Sequence, residues 1–220
     1  MLQATTLQFL TDLAANNHRD WFAEHRAAYE AARADFLAFC TQLIARIGEF
    51  DPPIAAQQAK DCVFRINRDT RFSKDKSPYK SNMGIWLTAK GKKSNDAGYY
   101  LHVEPSADTF LAGGMYMPPN DELKKVRQEI DYHSSEFNAI VTHPDFVQHF
   151  GSLSGNKLKK APKGYNPDHP DIEWLKHTDF LAYQPFSAAV LTTPESLDLL
   201  AVRFRAMKPL NDFLNRAVSL

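Results

Sequence analysis

The sequence predicts an α+β fold: a central, mainly antiparallel sheet with a long N-terminal helix and C-terminal helices packed on one face. Three observations carry that expectation. Apolar residues recur at helical spacing over the first fifty positions, the middle of the chain alternates with period two, and helical spacing returns beyond residue 120. The strand-like runs also follow one another across short polar turns, as in an antiparallel meander.

The elements follow in order. Leu7, Leu10 and Leu13 with Ala14 give a short amphipathic start. A long helix then opens with Asn17 as N-cap and Asp20 three residues on, a capping-box-like pair. Phe22, His25, Tyr29, Ala32, Phe36, Phe39, Leu43 and Ile47 line its inner face, and Gly48 with Pro52–Pro53 ends it. "CVFRIN", residues 62–67, reads as the first strand, with Cys62, Phe64 and Ile66 inward and Val63, Arg65 and Asn67 outward. "GIWLTAK", "GYYLHVEP" and "TFLAGGMY" supply three more, rich in aromatic and β-branched residues. "GKKSNDAG" and "SAD" are the turns between them. Adjacent Gly113 and Gly114 in the last of these strands suggest a bulge or a close approach, more readily by a packing helix than by a ligand.

Leu123, Val126 and Ile130 mark one later helix, Phe137, Ile140 and Val141 a second, and Phe146, Val147 and Phe150 a third. "DFLAYQPF" adds an edge strand. The last helix takes Thr193 as cap and Pro194 in its first turn, and Pro209 should kink or split it.

The 220 residues fit one domain, 1–220. Lys plus Arg number 26, as do Asp plus Glu, so the overall charge recommends neither nucleic acid nor an anionic membrane. No run approaches the ~18 apolar residues of a membrane span. The opening "MLQATTLQFLTDL" lacks a basic n-region and a long apolar run, so a cytoplasmic protein is expected. Cys40 and Cys62 are isolated in apolar settings and form neither a disulfide framework nor a metal set; both read as core residues of a reduced protein.

Positive charge concentrates in "FRINRDTRFSKDKSPYK", Phe64 to Lys80, where six cations meet only Asp69 and Asp75. Pro78 disfavours helix at Ser77, so an ordered irregular loop is expected. A mid-strand guanidinium cannot shed its charge, so Arg65 must reach a carboxylate, a ligand anion or water. Arg65, Asn67, Arg68, Arg71, Lys76 and Lys80 are therefore the candidate ligand-binding set, a cradle for phosphate or carboxylate. The competing account is a solvated loop tied by internal Arg–Asp pairs.

In "GYYLHVEP", alternation groups Tyr100, His102 and Glu104 on the outward face, an acid, a base and an orienting carboxylate. These are the candidate catalytic residues, although taken alone the row also reads as hydrogen bonding on a wet face. Two potential ligands are too few for a metal, and no sequence feature indicates a cofactor. "NKLKKAPKGY" is the best nucleic-acid candidate, with Tyr165 as a stacking ring, but one basic loop gives few phosphate contacts. No G-x-S-x-G elbow, Walker loop or dinucleotide fingerprint occurs. His133, His143, His149, His169 and His177 read as satisfied surface histidines.

"NHRDWF", "KDCVFRINRDTRFSKDKSPYKSN", "GYYLHVEP", "FLAGGMYMP", "LKKAPKGY", "HPDIEWLKH" and "KPLNDFLNRA" together resemble a widespread bacterial and fungal family of uncharacterised proteins, defined only as a conserved domain of unknown function. The likeness spans nearly the whole chain. It implies a cytosolic-type domain in which the basic segment and the tyrosine/histidine strand belong to the family pattern, and it supplies no activity. Trp86 stands where an aliphatic residue is expected.

The functional expectation is a small anionic ligand in a polar site on the sheet, with Arg65 and Asn67 sharing the face of Tyr100, His102 and Glu104. The alternative is a nucleic-acid or protein interaction module built on the basic loops at 65–80 and 157–163.

Overall fold

Helical and alternating periods resolve into ten α-helices and four strands in the computed structural model, which describes residues 1–219. The strands are β1 (Met83–Leu87), β2 (Gly98–Val103), β3 (Phe110–Met115) and β4 (Phe180–Pro185). They form an antiparallel sheet in the order β1-β2-β3-β4, so "DFLAYQPF" is an edge strand as expected. Period two sorts the faces. Ile85, Leu87, Tyr99, Leu101, Val103, Leu111 and Met115 are buried, whereas Trp86, Tyr100, His102 and Phe110 on the alternate positions are only partly covered.

The chain's contacts divide it into two compact units. The first gathers Met1–Lys92, Tyr100–Leu111 and Pro185–Val202. The second gathers Lys93–Tyr99, Ala112–Gln184 and the chain from Arg203 onward.

The first unit opens with α1 (Ala4–Ala15), α2 (Arg19–Glu24), α3 (Arg26–Gly48), α4 (Pro52–Ala55) and α5 (Ala59–Cys62). Ala32, Phe36, Phe39, Cys40, Leu43 and Ile47 of α3 are all buried, the seam that the helical spacing predicts, and α1 packs along that helix. Asp35 of α3 accepts bonds from Gln3 N (2.9 Å) and Thr6 Oγ1 (2.6 Å), so one helix supplies the carboxylate at the start of another.

The expected long helix is interrupted. His18, rather than Asn17, caps α2 by accepting from Trp21 N, and His25 leaves helical geometry (φ −102°, ψ 19°) between α2 and α3. Asn17 serves a distant partner instead: Nδ2 donates to Tyr79 O (2.9 Å) and Oδ1 accepts from Tyr79 N (3.1 Å). Both polar groups of its amide are used there, which leaves none for a cap.

"CVFRIN" does not form a strand of the sheet. Cys62 ends α5, Val63 bridges Ile85, and the pairing then switches to a bridge between Asn67 and Tyr79. Two different partners within four residues prevent a ladder. Cys62 and Ile66 are buried as expected, but Phe64 is 37% exposed.

The second unit contains α6 (Asn120–Tyr132), α7 (Ser134–Val141), α8 (Pro144–Phe150) and α9 (Ile172–Leu175), and receives the later part of α10 (Ser196–Ser219). Phe137 meets Phe213, Trp174 and Phe180 at 5.1, 5.9 and 6.5 Å between ring centres. Phe204 sets its ring edge-on to Tyr99 at 5.5 Å, and Asn211 Nδ2 donates to Gly98 O (3.1 Å). Met207 lies where a Cβ on Gly113 would stand, so a packing helix does explain that glycine.

Two expectations for α10 are corrected. It begins at Ser196, two residues beyond Pro194, and Pro209 lies inside a helix that is not split. The tertiary contacts on either side of Pro209, through Phe204, Met207, Asn211 and Phe213, hold the helix together across the missing amide.

His177 is also corrected, because it is fully buried rather than a surface residue. Its ring stacks between Trp174 and Phe180, Nδ1 donates to Asp179 O (3.0 Å), and Nε2 has no partner among the described residues. Burial, reinforced by Lys157 and opposed by the Asp179 bond, pushes its pKa down to about 4. The unfolded chain takes up a proton near pH 6.5 and the native one only near 4, so stability is full above 6.5 and falls as the pH drops between those values. Urea unfolding should therefore show a loss of about 2 kcal/mol from this residue between pH 7.5 and pH 5. His177→Phe should remove that part of the slope; an unchanged slope would rule out His177 as its source.

No helix among the described residues is long and apolar enough to cross a membrane.

Candidate functional site

Strand β2 places Tyr100, His102 and Glu104 on one face by period two, and their side chains connect in that order. Tyr100 Oη lies 3.0 Å from His102 Nδ1, and His102 Nε2 lies 3.0 Å from Glu104 Oε2. Burial, and secondarily the charge of Glu104, raises the Tyr100 pKa, so the phenol keeps its proton and donates it to Nδ1. Nε2–H is then directed to the carboxylate, the stronger charge-assisted acceptor. Burial would raise the Glu104 pKa, but hydrogen bonds from Ser81, His102 and Asn82 outweigh it and hold the carboxyl below its ordinary range. Asn82 Nδ2, 3.1 Å from Nε2, sits beside the same pair.

Aromatic rings frame this chain. Phe110 stacks on His102 at 4.7 Å and 12°, while Trp86 and Phe64 meet Tyr100 edge-on at 6.3 and 6.2 Å. Gly84 makes the arrangement possible: a Cβ there would stand 3.1 Å from Tyr100 Oη and 3.2 Å from Phe64 Cδ2. The bare strand lets the phenol and the phenyl ring rest against it.

The basic segment separates into two groups. Arg68 pairs with Asp75 and also reaches Ser73 Oγ and Ser77 O, both at 3.4 Å. Arg71 grips Asp69 at two points, 2.9 and 2.7 Å. Lys76 donates to Thr70 O (2.9 Å), and Asn67 pairs with Tyr79. These four expected ligand residues hold the loop in shape, so the internal Arg–Asp pairs are real. Bonds from Ser77 and then Arg68 keep the Asp75 carboxyl far below the usual carboxylate range.

Arg65 and Lys80 behave differently. Arg65 is exposed, lies outside the sheet and forms no ion pair among the described residues; Phe64, not Arg65, stands against Tyr100. Lys80 Nζ lies 5.4 Å from the centre of the Phe64 ring, and Lys92 Nζ lies 5.2 Å from it. Lys92 also donates to Val63 O (2.9 Å). Burial, then the charges of Arg65 and Lys92, lowers the Lys80 pKa. Two ammonium groups thus meet one ring with no paired carboxylate among the described residues, and the charge of Arg65 acts on Lys80.

The residues missed by sequence reasoning are Ser81, Asn82, Gly84, Phe110 and Lys92. Ser81 and Asn82 close the motif segment "SPYKSN" and could have been read with it. Lys92 comes from a hairpin loop, where nothing local distinguishes it from Lys90 or Lys93.

A cleft of about 720 Å³ opens between the entrance of α2 and the basic loop, lined among others by Asn17, His18, Arg19, Arg68, Lys76 and Tyr79. Tyr79 stacks on Phe22 at 3.9 Å and 14°, fixing one wall. In the second unit, the loop at 157–163 is partly tied down: Lys157 sits over Trp174 at 5.9 Å and 3.8 Å from Glu173. Tyr165 is half-buried beside His169 rather than displayed for stacking.

Fold and site together define an α+β protein with a hydrogen-bonded Tyr–His–Glu row beside a stapled basic loop. The chain belongs to the family described as conserved hypothetical protein (DUF2461), whose model matches residues 5–213. No curated protein matches it, and no solved structure does.

Proposed function

We propose that this protein binds a small anion, bearing phosphate or carboxylate, beside the open sheet face, and that Tyr100, His102 and Glu104 move a proton there. The meeting of Lys80 and Lys92 over one Phe64 ring, with no carboxylate partner for either among the described residues, carries this reading. Like charges repel when brought together, and an anion relieves both lysines at once. Arg65 offers a planar fork and the lysines offer point charges.

The row beside them has the polarity of a base. A ligand hydroxyl that gives its proton to Tyr100 Oη displaces the phenolic proton onto His102 Nδ1, and Glu104 stabilises the imidazolium that results. Cys40 and Cys62, both free and buried, support a reduced, cytoplasmic setting. Burial, with Cys62 nearby, pushes the Cys40 thiol up to about 12, so it is no nucleophile.

Calorimetric titration with phosphate, pyrophosphate and citrate at low salt tests the binding. Lys80→Met should weaken the best of these about tenfold, the loss of one charge-assisted contact. Tyr100→Phe should leave that affinity in place, because the phenol serves the proton rather than the charge. Absence of binding by every anion tried would overturn the proposal.

A further inference from the structure

We infer that the cleft between α2 and the basic loop is a second binding site, and that its ligand is a phosphorylated sugar. No residue of the anion site proposed above lines this cleft, so the two sites stand or fall separately.

Both walls belong to the first compact unit, and they are fastened to each other. Asn17, at the entrance to α2, holds the backbone of Tyr79 through both groups of its amide, at 2.9 and 3.1 Å. The Tyr79 ring lies on Phe22 of α2. Across the loop, Arg68 N donates to Pro78 O (3.0 Å) and Asn67 bridges Tyr79. The width of the cleft is therefore set before a ligand arrives, which lowers the ordering cost of binding.

The lining favours an anion at one part of the ligand. Arg19, Arg68 and Lys76 line the cleft with a single carboxylate, Asp20. The Arg19 side chain has no hydrogen bond or ion pair among the described residues. Arg68 donates through Nη1 to Asp75 and Ser77 O and through Nη2 to Ser73 Oγ, which leaves its Nε–H unused. Lys76 has only the carbonyl of Thr70 as partner, so its charge is unpaired. Three residues thus keep donors for an anion, and a phosphate ester brings three acceptor oxygens.

Bare phosphate leaves the rest of the cleft without a purpose. A volume of about 720 Å³ lies in the range of sites that hold whole small molecules. Asp20 and Asn67 also line it, and neither side chain has a partner among the described residues. A carboxylate opposes an anion but accepts from hydroxyls, and an amide both donates to them and accepts from them. Apart from Pro78 and Tyr79 every lining residue is polar, so an acyl chain would find little apolar surface there. A polyhydroxylated body that carries phosphate uses the cations and the Asp20–Asn67 pair of residues together.

Amide NMR titrations with glucose 6-phosphate, glucose and inorganic phosphate test this. Glucose 6-phosphate should shift the amides of Asn67, Thr70 and Tyr79. Glucose and phosphate, each offering only half of the contacts, should bind there about a hundredfold more weakly. Arg19→Gln should weaken glucose 6-phosphate about tenfold by removing a charge-assisted contact. Asp20→Ala should weaken it to a similar degree while phosphate binds no worse. Lys80→Met should leave its affinity unchanged. If phosphate alone shifts the same amides at the same concentration, the cleft takes a bare anion and the sugar inference fails. If glucose 6-phosphate leaves those amides in place, the cleft is no site for it and the anion site beside the sheet is untouched. If its binding is lost in Lys80→Met and kept in Arg19→Gln, the ligand belongs to the sheet site and this inference is overturned.

Discussion

Gly114→Ala should lower stability by about 4 kcal/mol, combining left-handed backbone strain with overpacking. Gly114 has φ +105°, a conformation that L side chains rarely adopt. A methyl there would overlap the carbonyl oxygen of Phe180 and stand 3.0 Å from its carbonyl carbon. The obstacle is backbone of the neighbouring strand β4, which cannot turn aside as a side chain does. Gly151→Ala is the control, since Gly151 has φ +69° with nothing within 4 Å of the added carbon. It should cost only about 1 kcal/mol. For a chain this long, the first substitution lowers the melting temperature by roughly 12 °C and the second by roughly 3 °C. Equal shifts would mean that β3 and β4 do not approach so closely at this point.

Arg65→Met should abolish stabilisation by anions and leave the ligand-free fold intact. Methionine retains much of the aliphatic stem's packing and removes the charge and five donors. No carboxylate is stranded by the change, because Asp69 keeps its two-point partner Arg71. Lys80 loses a repelling neighbour, so the ligand-free variant should melt with the wild type or slightly above it. At a hundredfold the dissociation constant, phosphate should add about 2.7 kcal/mol to the wild type and nothing to the variant. Equal gains in both proteins would place the anion elsewhere. A variant that melts far earlier without ligand would make Arg65 a residue of the fold.

The parts legible in the sequence are those set by local period. Tyr100, His102 and Glu104 share a face because they alternate along one strand, and no tertiary information is needed to group them. The seam of α3 and the edge position of β4 were readable for the same reason. The residues misread are those whose partners lie far along the chain. The alternation of 62–67 imitates a strand, yet Val63 and Asn67 pair with different segments. Asn17 has the chemistry of a cap, but Tyr79 takes both of its polar groups. His177 looks like a loop histidine until Trp174 and Phe180 close on its two faces. Lys92 acquires meaning only when the hairpin brings it to Phe64.

The Asn17–Tyr79 bonds join positions 62 residues apart, which ties the basic loop to the N-terminal helices. Closing so long a span carries an entropic cost that two hydrogen bonds alone offset poorly. The Phe22–Tyr79 stack, at 3.9 Å and 14°, adds the attraction of two rings from the same two segments. The far end of the basic loop is therefore held by tertiary closure and not by its own local sequence.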